Sequence, residues 1–379
     1  MKIKPVKTAI VGCGVISEKY LSTMTQKFNI LEIVGCCDLD TVKAEAKALK
    51  HGIQAMTMED ILADPSIELV VNLTTPTAHY PVIKQLLNGG KHVYTEKVLA
   101  VELSQAAELV KIADEKNLYL GAAPDTFLGA ALQTARYVVE SGMLGEITSC
   151  YCAMTRDSNI LNRAFPFTTK PGGGIGFDVG IYYITALLSI LGPVEEVSGV
   201  VRTRDPEKEH HELENFGEPF QVQCENLMAG TLQFACGTVG NLLFDSNSIF
   251  ILPEKPAVVL HGTMGIMFMA DPNQFGGEVQ VILKGNSEPF VMEQSHAFHD
   301  ECRGLGVAEM AWAIRMGRKN RANKEMAYHA LEVLHGIVKS SETKVNQHMQ
   351  STFEKTPPIP RGYSGQTYFD FMEESSLAL

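Results

Sequence analysis

A glycine turn between an apolar strand and a helix constrains the fold of this chain most. Residues 9–12 form a strand pattern, Gly12-Cys13-Gly14 follows it, a helix is predicted over 16–26, and Asp38 closes the next apolar run. Glycines let the backbone approach a pyrophosphate, whose charge the turn amides and the positive end of the helix stabilise. An acid at the end of the second strand accepts hydrogen bonds from a ribose diol. A plain strand-turn-helix connection is the alternative to a dinucleotide site made by Gly12, Gly14, Val15, Ile16 and Asp38.

Composition narrows the class of protein. A length of 379 residues, of which 45% are apolar, favours two domains with sizeable cores. The net charge of -12 argues against nucleic acids and anionic membranes as partners, because both attract clustered Lys and Arg. The first strand is not preceded by the apolar segment of a signal peptide, and no apolar run is long enough to span a bilayer. We therefore expect a cytoplasmic protein.

The eight cysteines give no sign of a metal centre or of a disulfide framework. None forms a Cys-x-x-Cys pair, and most stand inside apolar runs, which is typical of buried thiols in a reducing compartment. A metal bound by His296, His299 and Glu301 is the alternative, but loop histidines before a helix are more often structural. We therefore expect no metal.

Two patterns of secondary structure divide the chain. Up to about residue 122, short apolar runs alternate with helical patterns, which predicts βαβ units and a parallel sheet. Beyond Pro124 the pattern predicts consecutive hairpins, with turns at Ala229-Gly230 and Cys236-Gly237 and a solvated loop over 204–217. The sequence thus predicts an α/β protein whose dinucleotide-binding domain, residues 1–123, precedes an α+β domain of residues 124–355 built on an antiparallel sheet. Residues 356–379 form a C-terminal tail that the pattern assigns to neither domain.

A nearly apolar helix over 175–191 carries one polar seam. Asp178, Tyr182, Thr185 and Ser189 are spaced four, three and four residues apart, so they share a face of the helix. A buried carboxylate is costly unless it is paired or hydrogen-bonded, so we expect Asp178 and Tyr182 to line a polar cavity. The alternative is a structural Asp, with Thr185 and Ser189 bonding back to their own helix.

Further polar groups follow two strands of the predicted parallel sheet. Glu96-Lys97 ends one strand and Thr74-Thr75-Pro76-Thr77-Ala78-His79 ends its neighbour, at the edge where open α/β sheets bind ligands. A glycine run, Gly172-Gly173-Gly174, precedes the polar seam. Donor-rich residues between a strand and that run could contact a hydroxyl-rich substrate or could be a solvated loop: Arg156, Asn162, Arg163 and Lys170.

Taken in order, these motifs resemble the Gfo/Idh/MocA oxidoreductases, the superfamily of glucose-fructose oxidoreductase and inositol dehydrogenase. The resemblance covers essentially the whole chain and implies a Rossmann domain followed by an open antiparallel sheet. It also implies a pyridine-nucleotide enzyme for sugars, polyols or related cyclic alcohols, which assembles as a homodimer or homotetramer, often through the exposed sheet face. Besides the turn residues, it places four residues at the cofactor: Thr75, Pro76, His79 and Glu96.

The chain departs from the family pattern at two positions. Val98 follows Lys97 where the family usually has proline, and Tyr182 stands where many members have histidine. Tyrosine at that position resembles the branch of glucose-fructose oxidoreductase and dimeric dihydrodiol dehydrogenase. We expect Tyr182 to exchange the substrate proton, with the Lys97 ammonium lowering its pKa and Asp178 positioning that lysine.

The sequence favours one cofactor and one functional class but leaves alternatives to both. Asp38 would repel a 2′-phosphate, which favours NAD, although Lys43 or Lys47 could accommodate NADP. A dehydrogenase is favoured over a nicotinamide-binding regulator, because a regulator needs no residues for proton transfer. The third class is an enzyme with tightly bound NAD(P) that interconverts sugars or cleaves glycosides by transient oxidation.

Overall fold

The computed structural model describes residues 3–161, 165–248, 257–294 and 296–364. Its strands are β1 (Val6–Val11), β2 (Leu31–Cys37), β3 (Gln54–Ala55), β4 (Leu69–Asn72), β5 (His92–Thr95), β6 (Leu120–Ala122), β7 (Ile147–Thr155), β8 (Val194–Arg202), β9 (Glu207–Glu209), β10 (Pro219–Gln221), β11 (Leu227–Phe234), β12 (Val239–Asp245), β13 (Val258–Gly262), β14 (Gly265–Met269), β15 (Val279–Leu283), β16 (Phe290–Val291) and β17 (Gln347–His348). Its helices are α1 (Val15–Lys27), α2 (Thr41–His51), α3 (Met58–Ala63), α4 (Pro76–Asn88), α5 (Leu103–Glu115), α6 (Ala130–Glu140), α7 (Ser158–Leu161), α8 (Ile181–Leu191), α9 (Leu305–Met316) and α10 (Lys324–Thr343).

The chain divides into two compact units. The described residues of the first unit are 3–133, 294, 296–327 and 356–364, and those of the second are 134–161, 165–248, 257–293 and 328–355. This division differs from the predicted linear one, because a segment of the carboxy-terminal half returns to the first unit. There, the Asp125 carboxylate accepts hydrogen bonds of 3.0 Å from the amides of Gly304 and Gly306 at the start of α9. At the other end of α9, Arg315 makes a bidentate ion pair with Glu68.

The first unit is built on a parallel sheet. Among its described residues, strands pair in the order β3-β2-β1-β4-β5-β6, and every pair is parallel. This order and the right-handed crossovers expected of it are those of the dinucleotide-binding doubly wound fold, which confirms the predicted class. The last residues of four neighbouring strands lie side by side, so the loops that follow them share one edge: Cys37, Val11, Asn72 and Thr95.

The second unit contains a large open sheet. Within the described residues, its strands pair in the order β16-β15-β14-β13-β7-β12-β11-β8-β17, and β9 and β10 form a separate ribbon. All pairs in the large sheet are antiparallel except β7 with β12. Alternate side chains of β12 are buried and exposed, which is typical of a sheet with one covered face. The predicted antiparallel domain is therefore confirmed, with one parallel pair inside it.

Two local predictions for the second unit are wrong. Ala229-Gly230 is no turn, because β11 runs straight through it and pairs with β8 on one side and β12 on the other. Gly230 faces Gly199 across this pair, and a Cβ on Gly199 would lie 2.7 Å from Cγ2 of Ile337 in α10. The glycines therefore leave room for α10 to pack closely against the sheet, and they do not form a turn. The predicted loop over 204–217 likewise contains β9, which pairs with β10.

Candidate functional site

The glycine turn of the first unit begins directly after β1. Gly12 has a φ of +101°, and a Cβ there would lie 2.6 Å from the carbonyl carbon of Leu73 in the loop after β4. Only glycine fits this position. A side chain would collide with backbone atoms, and the positive φ is unfavourable for any other residue. Gly14 differs, since a Cβ there would meet nothing within 4 Å. Gly14 and Val15 are exposed at the start of α1, where open amides and the helix dipole favour an anion.

Asp38 ties this turn to the end of β2. Its Oδ2 accepts a 2.7 Å hydrogen bond from the amide of Cys13, and its Oδ1 accepts one of 2.9 Å from the amide of Asp40. The carboxylate is half-buried, and a carboxylate has about four acceptor directions, so it has capacity for a ribose hydroxyl as well. Asp38 therefore does two things: it sets the shape of the turn and presents negative charge beside it.

His79 lies beneath the neighbouring loops. Thr75 stands at the N-cap position of α4 without a side-chain cap hydrogen bond, and Pro76 is the first residue of the helix. His79 therefore falls in the first turn, where it is wholly buried. Its Nδ1 is 2.6 Å from the carbonyl oxygen of Val98, and its Nε2 is 3.0 Å from that of Thr74. Burial lowers the pKa of His79, against the opposing effect of these two carbonyls. Instead of an exposed nitrogen for a ligand, the ring provides a brace between the loops after β4 and β5.

Glu96 is likewise turned into the first unit. Its Oε1 accepts a 2.7 Å hydrogen bond from the hydroxyl of Tyr20 in α1, and only 7% of the residue is exposed. Burial and the nearby Glu96 carboxylate raise the pKa of Tyr20, which keeps this phenol a donor. Lys97 is half-buried, and its peptide bond to Val98 is cis. Tyr20 was not predicted as a site residue; its only signal is its place on the buried face of α1.

The glycine run of the second unit leads into a wide helical turn. Residues Gly176–Gly180 form a π-helical turn that continues directly into α8. Asp178 and Tyr182 are 7% and 6% exposed, so both are almost buried. Residues four apart are neighbours on a helix, which keeps the carboxylate and the phenol on one side. Wide turns of this kind are frequent at functional sites.

A buried ion pair holds Asp178. Its Oδ2 is 2.7 Å from Nη1 of Arg156, which directly follows β7, and both side chains are less than a tenth exposed. Arg156 Nε also donates to the hydroxyl of Ser246, at 3.3 Å. Arg156 was predicted as a substrate contact; in the structure its guanidinium lies against Asp178 and Ser246. The sequence offered no signal for this pair, because its members are far apart along the chain.

The remaining predicted residues fall in three groups. Lys170 is exposed, directly after a 3₁₀ turn at Pro166–Thr169, and Asn162 and Arg163 lie outside the described residues. The hydroxyl of Ser189 donates back to the carbonyl of Ala186 at 2.7 Å, which confirms the structural interpretation for that residue. Thr185 is buried beside it.

The described residues contain neither a cluster of metal ligands nor a membrane-spanning helix. No group of three His, Cys, Asp or Glu side chains there could hold a metal ion, and Nδ1 of His299 is 2.6 Å from Oε1 of Gln294. None of the described helices is long and apolar enough to cross a bilayer. All eight cysteines lie in the described ranges and are free thiols; seven are buried.

Comparison with known proteins gives matches in both halves of the chain. Residues 6–123 match the model of an oxidoreductase family with an NAD-binding Rossmann fold, and residues 132–268 match the Gfo/Idh/MocA C-terminal domain. Together these two models span most of the sequence.

Individual relatives are distant. The chain is 28% identical to an uncharacterized oxidoreductase of Schizosaccharomyces pombe over 53% of this chain and 55% of that protein, so it spans about half the length of that relative. It is also 28% identical to dTDP-3,4-didehydro-2,6-dideoxy-alpha-D-glucose 3-reductase of Saccharopolyspora spinosa, over 83% of this chain and 89% of the reductase. The structure of levoglucosan dehydrogenase in complex with NADH and levoglucosan superposes with a TM-score of 0.78 at 17% identity, covering 92% of this chain and all of that one. At that identity the superposition shows the shared fold.

Proposed function

Because the chain belongs to the Gfo/Idh/MocA oxidoreductase family, we propose that it is an NAD-dependent dehydrogenase or reductase. Its substrate is a secondary alcohol, or the matching carbonyl, of a sugar, polyol or related cyclic alcohol. The observation that carries the proposal is that a chain with the dinucleotide turn also keeps Lys97, Asp178 and Tyr182, which a regulator would not need. A sugar substrate is further supported by the names of the Saccharopolyspora reductase and of levoglucosan dehydrogenase.

The turn of the first unit fits a dinucleotide. Gly12 is packed against backbone, while the space over Gly14 is open, and the Cys13 amide is anchored to Asp38. We assign the pyrophosphate to Gly12, Gly14, Val15 and Ile16, and the adenosine ribose to Asp38. Thr75, Pro76, His79 and Glu96 shape the adjoining loops. Bound there, the nicotinamide supplies the hydride acceptor or donor. Asp38 makes NAD the preferred form, because its charge would repel a 2′-phosphate.

Proton transfer is assigned to Tyr182. In the oxidative direction the phenolate takes the proton of the substrate hydroxyl, and in the reductive direction the phenol returns it. A phenol has a pKa of about 10, so a nearby ammonium is needed to favour the phenolate, and we assign that ammonium to Lys97. Asp178 balances the positive charge, and Arg156 holds Asp178 in place. Lys170, Asn162 and Arg163 remain proposed donors to the substrate.

The experiment is a spectrophotometric screen. Purified protein is offered cyclic polyols, aldoses, their phosphates and trans-dihydrodiols with NAD and with NADP, in both directions, while nicotinamide absorbance is followed. We expect turnover with at least one class and faster turnover with NAD. Turnover without added coenzyme would favour a tightly bound cofactor instead, and NADH binding without any turnover would favour a regulator.

Tyr182→Phe tests the assigned chemistry. We expect at least a tenfold loss of turnover with nearly unchanged NADH affinity, because general acid-base catalysis contributes ~10²–10⁴ in rate. The matched control is Tyr183→Phe, since Tyr183 donates to Asp271 at 3.1 Å and should leave turnover intact. Equal turnover of Tyr182→Phe and wild type would contradict the role.

We also propose that two or more copies assemble through the open face of the large sheet. Four large apolar side chains on β7, β8 and β12 are two-fifths or more exposed: Tyr151, Val200, Val239 and Leu243. Strand register places Leu243 opposite Ala229, which in turn lies opposite Val200, so these positions share one face. Contiguous exposed apolar surface of this kind is typical of protein interfaces.

A cytoplasmic location is supported by the free thiols, which persist where disulfides are reduced.

A further inference from the structure

Glu225 lies against the glycine run of the second unit, although the chemistry proposed above makes no use of it. It stands between β10 and β11, and its carbonyl oxygen accepts a 3.1 Å hydrogen bond from the amide of Ile175. A Cβ on Gly174 would lie 1.9 Å from Oε1, 2.1 Å from Cδ and 2.2 Å from Oε2 of Glu225. The carboxyl group therefore occupies the volume that any side chain at 174 would need, and Gly174 is the residue type that admits it.

The carboxyl group also meets the first amides of the helical segment. The nearby amides of Gly176 and Phe177 favour the ionised form and lower the pKa of Glu225, but burial outweighs them and raises it to about 7. Among the described residues, Oε1 has no hydrogen-bond partner of good geometry. The open amides at the start of a helix stabilise a carboxylate. They interact less strongly with a neutral carboxyl group.

Within the part of the chain that the structure describes, Glu225 has few charged or titratable neighbours. Asp178 on the helix and Arg156 after β7 form their own ion pair, and together with Glu225 they act on the Cys224 thiol, whose pKa burial raises to about 12. The 3₁₀ turn that contacts this segment carries Lys170 next to it, and that residue is exposed. None of these groups is a cause of the shift at Glu225, so burial and helix amides govern its charge.

We propose that Glu225 is a positioning residue for the reaction. Its carboxylate holds the π-helical turn that begins at Gly176 and carries Asp178, and thereby fixes Tyr182 one turn further on. Protonation of Glu225 weakens this hold, so turnover depends on its charge. This inference rests on the proposed function, because it assigns Glu225 a part in the proton transfer by Tyr182.

The first test is the pH dependence of turnover in Glu225→Gln. Turnover is measured in the reductive direction, since the oxidative direction needs the Tyr182 phenolate and would add the pH dependence of that group. A single ionisation of Glu225 near pH 7 should make wild-type kcat fall about tenfold between pH 8 and pH 6. The Gln side chain cannot ionise, so we expect a lower kcat that changes less than about twofold over this interval, with NADH affinity unaltered. Glu218→Gln removes a charge from an exposed position in the same unit and should keep the wild-type profile. The same fall in wild type and Glu225→Gln would overturn the proposal.

The second test needs no substrate. Gly174→Ala should lower Tm by several degrees, because its methyl group collides with the Glu225 carboxyl. In Glu225→Ala the same change should lower Tm by less than half as much, since the collision is gone. Additive losses would show that the contact is absent and would overturn the proposal. The outcomes distinguish this role from the proposed function. If the wild-type chain shows no turnover, the proposed function is overturned and the role of Glu225 with it. If it turns over but Glu225→Gln keeps the wild-type pH profile, only the role of Glu225 is overturned.

Discussion

Gly12 and Gly14 occupy one short turn but meet different constraints. Gly12 has a positive φ and faces the backbone of Leu73 and Thr74, so its missing side chain serves the fold. A Cβ on Gly14 would meet nothing within 4 Å, so the missing side chain leaves space for a ligand to approach the backbone. One motif thus combines a structural glycine and a binding glycine.

This difference predicts separable effects of two alanines. Gly12→Ala should lower the free energy of unfolding by about 1–3 kcal/mol, because strain and backbone collision add. Gly14→Ala should leave stability within about 0.5 kcal/mol but weaken NADH binding by ~10-fold or more, since the methyl group stands in the path of the pyrophosphate. Thermal unfolding and a fluorescence titration with NADH would measure both. Equal destabilisation by the two alanines would contradict this division of roles.

At the scale of elements, the Arg156-Asp178 pair joins the end of β7 to the helical segment that begins at Gly176. Both charges are withdrawn from water, so removing either partner leaves the other buried with less compensation. The pair therefore fixes how the helix start is placed on the sheet. Replacing Arg156 alone should be more harmful than replacing both partners.

The corresponding prediction is a double-mutant cycle. Arg156→Leu should lower the free energy of unfolding by about 3 kcal/mol, and adding Asp178→Asn should recover part of that loss. The control is Lys111→Met in the exposed pair with Glu115, which should change stability by less than about 0.5 kcal/mol. Chemical denaturation of the four chains would give the coupling, and strictly additive losses would argue against it.

Local sequence patterns predicted the features that depend on residues close together in the chain. The glycine turn, Asp38 and the polar seam follow from short spacings, and the parallel strands follow from apolar runs with turn signals. Contacts between distant residues could not be predicted, because neither spacing nor residue type reveals them: the Arg156-Asp178 pair and the carboxyl of Glu225 over Gly174. Gly230 shows this limit of sequence-based prediction most directly. A glycine in an apolar run can mark a turn, or it can make room for a helix to pack on a strand, and only the tertiary packing decides between the two.

At the scale of the whole molecule, the open sheet face predicts the assembly state. Leu243→Arg places a charge in the middle of the exposed apolar face and should convert the assembly to monomers, measured by light scattering after gel filtration. Leu49→Arg is the control, because Leu49 is more exposed and lies in α2 of the first unit. A wild-type monomer, or an assembly that survives Leu243→Arg, would contradict the proposed interface.

The return of α9 to the first unit has a consequence for biosynthesis. While the ribosome is still translating the second unit, the sheet of the first lacks the segment whose amides donate to Asp125 and whose Arg315 pairs with Glu68. That segment ends at residue 327, and at ~5–20 residues per second it emerges on the order of ten seconds or more after residue 133. During that interval the nascent chain exposes the apolar surface that α9 later covers, so we expect the first unit to complete its core only after this segment has been made.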